Sequence, residues 1–216
     1  GGTGKTFLWR AILAKLRYQD HIVLAVASSG VAALLMPRGR TSHSRFTIPL
    51  DIHDRSMCNI GRGTISAALI QKTSLIIWDE APMTHRFCFE ALDRTLRDLL
   101  SVDEPSNAAR PFGGMPVLLG GDFRQVLHVI QGADHCQILN ASLIRSPLWK
   151  HVRVLKLIVN MRLSNPALSP SERADMSRFA QWVLDVGEGK VPTHRKDGDS
   201  EDTWITIPDD IVTLPK

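Results

Sequence analysis

Three short apolar runs constrain this chain most, because each stops abruptly at a small or charged residue. Ile22–Ala27 reads IVLAVA and gives way to Ser28, Ser29 and Gly30. Residues 75–78 read LIIW and end at Asp79, and Val117–Leu119 ends at Gly120 and Gly121. An unbroken apolar run of this length suits a strand buried on both faces of a parallel sheet. Residues 152–157 form a fourth candidate, ending just before Asn160 and Arg162. Helical spacing fills the intervals. Residues 5–18 place Leu8, Ala11, Ile12 and Leu16 on one face, and residues 87–100 align Phe89, Leu92, Leu96 and Leu99. Residues 171–186 gather Met176, Phe179, Ala180, Val183 and Leu184, with Gly187 as the expected stop. Strands alternating with helices predict an α/β domain on a mostly parallel sheet. Residues 191–203 read as an exposed loop or linker, and 204–207 and 211–214 as edge strands or a lead into a further domain.

Composition excludes several classes. With 44% hydrophobic and 22% charged residues, the 216-residue chain reads as globular rather than disordered. No apolar run approaches the length of a membrane span, and no membrane partner is expected. The cysteines, Cys58, Cys88 and Cys136, are distant and odd in number, which argues against a disulfide framework and for an intracellular, reducing setting. The net charge of +4 permits a polyanionic partner without demanding one. Residues 37–62 carry Arg38, Arg40, Arg45, Arg55 and Arg62 against Asp51 and Asp54. Taken alone, that stretch reads as a solvated loop.

The chemistry-bearing words sit where the apolar runs end. The opening GGTGKT matches the end of a phosphate loop, with Gly2, Thr3 and Gly4 in the turn and Lys5 and Thr6 at its close. Glycines let backbone N–H groups face phosphates, and the following helix start adds favourable partial charge. Lys5 would reach the β- and γ-phosphates of ATP, and the Thr6 hydroxyl would ligate Mg²⁺. A glycine-rich turn before a helix is the alternative. Asp79 and Glu80 close the second apolar run, where adjacent acids are costly without a task. Asp79 would hold Mg²⁺, and Glu80, pointing differently, would polarise the attacking water. Gln125, in GGDFRQ, can contact the γ-phosphate and that water, though a surface turn would also explain it. Arg162, in Asn160-Met161-Arg162, can stabilise charge on the transferring phosphoryl group, with a structural ion pair as the alternative.

Longer words then bear a resemblance. ASSGVAA from Ala27, GRTSHS from Gly39, WDEAPM from Trp78, GGDFRQ from Gly120 and NMR at Asn160 look like successive motifs of the Pif family of helicases, in family order. FAQWVL from Phe179, followed by Gly187-Glu188-Gly189, is similar to the segment that comes next, and the flavour is that of the plant and transposon-related branch. The resemblance implies a RecA-like phosphate-loop NTPase fold with helices on both faces of the sheet. It implies ATP hydrolysis coupled to 5′→3′ movement on single-stranded DNA, with duplex junctions as substrate, in repair, recombination and telomere maintenance, and a nuclear address. Carried over by position, Lys5, Glu80, Gln125 and Arg162 are catalytic, Gly2, Thr3, Gly4, Lys5 and Thr6 hold the nucleotide, and Thr6 and Asp79 hold the metal. Ser28, Ser29, Gly30, Thr41, His43 and Ser44 line the DNA path, with residues 37–62 in the same wall.

Relative to the family, the first glycine of the loop and the strand before it are missing. That strand normally lies mid-sheet, so a gap flanked by unpaired strands is expected. Residues 1–190 are expected to form the first motor domain as a fragment, and 191–216 to lead toward a second motor domain that is missing too. Such a fragment, expected to be monomeric, should not unwind DNA alone, because stepping needs two lobes. A phosphate-loop switch or loader, and a non-enzymatic transposon-derived remnant, are the competing readings.

Overall fold

The computed structural model describes residues 2–123, 132, 134–164, 166–196, 198 and 204–208. These fall into two compact units, one ending at Val159 and one beginning at Asn160.

The first unit is built on a four-stranded parallel sheet. Its strands are β1 (Ile22–Ala27), β2 (Arg40–Thr41), β3 (Thr73–Asp79) and β4 (Val117–Leu119), in spatial order β2-β1-β3-β4. The register pairs Ala27 with Asp79 and Trp78 with Leu119, so the strands end together at one rim. Alternation along β1 explains its unbroken apolar run. Val23, Ala25 and Ala27 face one layer with Ile77, while Leu24 and Val26 face the other with Ile76 and Trp78.

Helices cover both faces. On the first, α1 (Lys5–Tyr18) buries Trp9 and Leu13, four residues apart, beside Ala32 and Ala33 of α2 (Gly30–Leu34). On the second, α3 (Ser42–Phe46), α4 (Ile65–Gln71) and α5 (Arg86–Leu100) contribute Phe46, Ile70, Phe89, Leu92, Leu96 and Leu99. Trp78 sits at the centre of this layer, with ring centroids 4.3 Å from Phe89 and 6.0 Å from Phe46. Hydroxyl caps start the short helices: Ser29 accepts from the Ala32 amide, Thr41 from Ser44 and Thr64 from Ala67. A further short helix, α6 (His135–Asn140), opens on a capping box formed by Asp134 and Gln137.

The strand expected over residues 152–157 does not form. Val154 and Leu155 are 57% and 74% exposed, and no described residue pairs with them. Its sequence fits a buried strand, but a strand exists only through a neighbour's hydrogen bonds. β4 likewise pairs with β3 alone among the described residues, and the four described strands form one continuous sheet with no gap between them.

The second unit holds α7 (Pro170–Gly187), started by the Ser169–Glu172 capping box and running through Gly187 to a cap at Glu188. None of its described residues is buried, and Phe179 stacks near Trp182 at 6.3 Å. The division between the two compact units falls at 159/160. Within the loop expected at 191–203, β5 (Thr193–His194) pairs antiparallel with β6 (Trp204–Ile205). Residues 211–214 lie outside the described residues. Among the described residues, no helix is long and apolar enough to cross a membrane.

Candidate functional site: a phosphate loop beside an acidic strand end

The loop that precedes α1 turns on two glycines in the left-handed region, Gly2 at φ 85° and Gly4 at φ 84°. Only glycine adopts that conformation without strain. Gly4 caps a 14-residue helix with no side-chain hydrogen bond, so the first amides of α1 carry no capping acceptor. Orphan amides at the positive end of a helix form a ready anion site. Thr6 is half-buried in the first turn.

Lys5, the first helical residue, reaches back across the rim. Its Nζ lies 2.9 Å from Asp79 Oδ1 and 2.5 Å from Glu80 Oε1. Burial alone pulls the Lys5 ammonium down, but the hydrogen bonds and charges of Glu80 and Asp79 outweigh it, and the net shift is upward. Lys5 therefore stays charged. Asp79 is 2% exposed, and its Oδ1 also accepts the Glu80 amide at 3.0 Å. Glu80 itself adopts φ 52°, ψ 38°, a left-handed conformation that costs a non-glycine residue on the order of 1 kcal/mol or more. That turn takes the Glu80 side chain off the strand's alternation and onto Lys5.

The loop after β4 closes the rim by close approach. A Cβ on Gly120 would lie 2.2 Å from Trp9 Cζ2 and 3.3 Å from Asp79 Oδ1, and one on Gly121 would lie 2.1 Å from Pro82 Cδ. The Ala81 amide donates to the Gly120 carbonyl at 2.8 Å, which ties this loop to the acidic turn. The Trp9 indole N–H is buried without a partner among the described residues.

The donor set fits Mg²⁺. Among the described residues no cluster of three His, Cys, Asp or Glu side chains could cage a metal. Magnesium needs none, since it is held by one or two carboxylates together with substrate phosphates and water. Asp79 and Thr6 supply hard oxygens of the right kind.

Of the predicted residues, the structure therefore brings together Lys5, Asp79 and Glu80, with Gly2, Thr3 and Gly4 in the adjoining loop and Thr6 in the first turn of α1. Gln125 lies outside the described residues, as does the side chain of Arg162, whose backbone belongs to the 3₁₀ turn Met161–Ser164. The residues expected along the DNA path divide. Ser29 and Thr41 spend their oxygens as helix caps, while Gly30 and Ser44 are exposed. His43 is half-buried, its Nε2 4.0 Å from Cys88 Sγ, and burial lowers its pKa, so it is neutral at pH 7. Within residues 37–62, Arg62 is spent on Asp98, leaving Arg38, Arg40, Arg45 and Arg55 against Asp51 and Asp54.

Ser28 departs from expectation. Its hydroxyl donates to the Glu80 carbonyl at 2.6 Å and accepts from Trp78 Nε1 at 3.1 Å and from Thr84 Oγ1 at 2.6 Å. A hydroxyl has one proton and two lone pairs. All three are used internally, so the side chain has nothing left for DNA. Sequence reasoning also missed Trp9 and Thr84 as parts of this rim. For Trp9 a signal existed, since it shares the buried stripe with Leu13 four positions on.

The family model for PIF1-like helicase matches residues 1–197. The chain belongs to that family. An ATP-dependent DNA helicase PIF4 of Trypanosoma brucei brucei is 33% identical over 132 residues, covering 59% of this chain and 15% of the relative. The Pif1 helicase of a Psychrobacter species is 31% identical over 127 residues, covering 58% and 18%. The chain thus spans less than a fifth of the length of these two relatives. Among solved structures, Bacteroides Pif1 bound to ssDNA superposes with a TM-score of 0.66 at 22% identity, covering 93% of this chain and 46% of that one. Candida albicans Pif1 gives 0.63 at 24% identity, covering 89% and 40%. These likenesses show the fold, that of the RecA-like domain of Pif1.

Proposed function

We propose that this chain is the nucleotide-hydrolysing part of an ATP-dependent DNA helicase that moves 5′→3′ along single-stranded DNA. The observation that carries the reading is the Lys5 bridge to Asp79 and Glu80 directly beside an uncapped, glycine-turned helix start. A triphosphate seated on the α1 amides would meet Lys5 at its β- and γ-phosphates. Mg²⁺ would supply charge neutralisation there, held by Asp79 and Thr6. Glu80 would orient and deprotonate the attacking water. Gln125 and Arg162 are proposed to contact the γ-phosphate.

The strand is proposed to run over the exposed turns at Gly30 and Ser44, with Arg38, Arg40, Arg45 and Arg55 holding backbone phosphates without reading sequence. Ser29, Thr41 and His43 would shape that surface and donate uncharged hydrogen bonds. The relatives' names support a DNA helicase. Work at duplex junctions in repair, recombination and telomere maintenance, in the nucleus and as a monomer, belongs to the same proposal, as does the inability of these 216 residues to unwind DNA alone.

ATP turnover of the full-length gene product with and without single-stranded DNA tests the reading. Stimulation is expected. Turnover that ignores single strands would favour a phosphate-loop switch or loader.

A further inference from the structure

We infer that Ser28 is a positioning residue that sets the water-activating acid and couples it to the exposed α2 turn. The inference rests on the motor reading above, but it begins from the geometry of Glu80. Both peptide groups flanking that residue are fixed. Its amide donates to Asp79 Oδ1 at 3.0 Å, and its carbonyl accepts from Ser28 Oγ at 2.6 Å and from the Met83 amide at 3.0 Å. With φ at 52° the Glu80 backbone is held away from its relaxed conformation, so something must hold it.

Ser28 contributes twice. Its amide donates to the Asp79 carbonyl at 3.1 Å, extending the β1–β3 pairing by one residue beyond the strand ends. Its hydroxyl then grips the next carbonyl along. That hydroxyl is itself oriented by two donors, the fully buried Trp78 indole and the Thr84 hydroxyl, 5% exposed. With both lone pairs occupied, its one proton serves the Glu80 carbonyl at 2.6 Å, the Asp79 carbonyl being a longer, weaker acceptor at 3.5 Å.

The next residue on the other side is Ser29, the cap of α2. α2 presents its outer surface to solvent: Val31 is 77% exposed and Leu34 85%. A displacement of this turn moves the Ser28 peptide, and with it the hydroxyl that holds the Glu80 carbonyl. One residue is thus common to the proposed DNA-facing turn and to the acid that activates water.

The test is steady-state ATP hydrolysis by the full-length protein, with and without single-stranded DNA, for Ser28→Ala, Ser28→Thr and Thr84→Val. Ser28→Ala is expected to lower kcat about 10- to 100-fold, the effect of misplacing a reacting group by about an ångström. The KM for ATP and the affinity for single-stranded DNA should hold within about twofold. Ser28→Thr, which keeps the hydroxyl, should recover most of the rate. Thr84→Val removes only one orienting donor and should lower kcat less, in the same direction. It decides the matter if Ser28→Ala does not fold. Wild-type kcat in Ser28→Ala, or in Thr84→Val when Ser28→Ala is insoluble, overturns the inference. So does a parallel loss of kcat, ATP affinity and DNA affinity that threonine does not restore, which would mark a purely structural residue. A wild-type protein that hydrolyses ATP but ignores single strands refutes the motor reading instead, and the kcat comparison still judges Ser28.

Discussion

The indole of Trp9 occupies the space in which a side chain on Gly120 would begin: a Cβ there would lie 2.2 Å from Trp9 Cζ2. Trp9 is 4% exposed and packed in the α1 layer, so it cannot swing aside into solvent. Gly120→Ala should therefore destabilise the protein by about 1–3 kcal/mol, the usual cost of overpacking. Part of that should return in the Gly120→Ala/Trp9→Phe double variant, because the two positions touch. Urea unfolding checks both. Equal stability of Gly120→Ala and wild type would show that the loop can move, and that the Trp9 contact does not fix it.

Glu80 sits 2.5 Å from Lys5 and is held there by its left-handed turn. Glu80→Gln keeps the shape and a hydrogen-bond acceptor but removes the base. Nucleotide binding should survive while hydrolysis slows by roughly 10²–10⁴. Fluorescent-nucleotide titration and single-turnover hydrolysis separate the two effects. An unchanged hydrolysis rate would move water activation to another residue.

The cysteines make a prediction about pH. Burial pushes the Cys58 thiol up to about 11 and Cys88 up to about 12, from 9.0. Below pH 9 both thiols are neutral whether the chain is folded or not, so their contribution is fully present. Above it the unfolded chain ionises first, and stability falls until the folded thiols ionise at about 11 and 12. Denaturation midpoints should accordingly drop above pH 9, and less so in Cys58→Ala. At pH 8 a thiol reagent should label exposed Cys136 quickly and the two buried thiols only on unfolding. Rapid labelling of all three in the native protein would contradict this burial.

What could be read from the sequence was local. IVLAVA announced a doubly buried strand because every residue of it faces a core, and the phosphate loop and the Asp79-Glu80 pair announced their shared rim. Residues 152–157 carried the same apolar signal, yet pairing is a property of neighbours, and among the described residues none is paired there. The two glycines after β4 look like turn glycines in sequence. In the fold they are demanded by Trp9 and Pro82, which approach from far away along the chain. Ser28 misled for the same reason. Its partners, Trp78, Glu80 and Thr84, lie 50 to 56 positions onward and cannot be read from its own neighbourhood. The caps at Ser29 and Thr41 were legible, each a hydroxyl just before a helix, but their DNA-facing resemblance took precedence.

Steady-state ATP hydrolysis by full-length Lys5→Ala protein tests the central claim most directly. Removing Lys5 takes away the cation that bridges Asp79 and Glu80 and, in this account, the group that meets the β- and γ-phosphates. Turnover and ATP-driven strand separation should both disappear, with single-stranded DNA binding retained. Wild-type turnover from that variant would mean that the triphosphate does not sit where α1 begins.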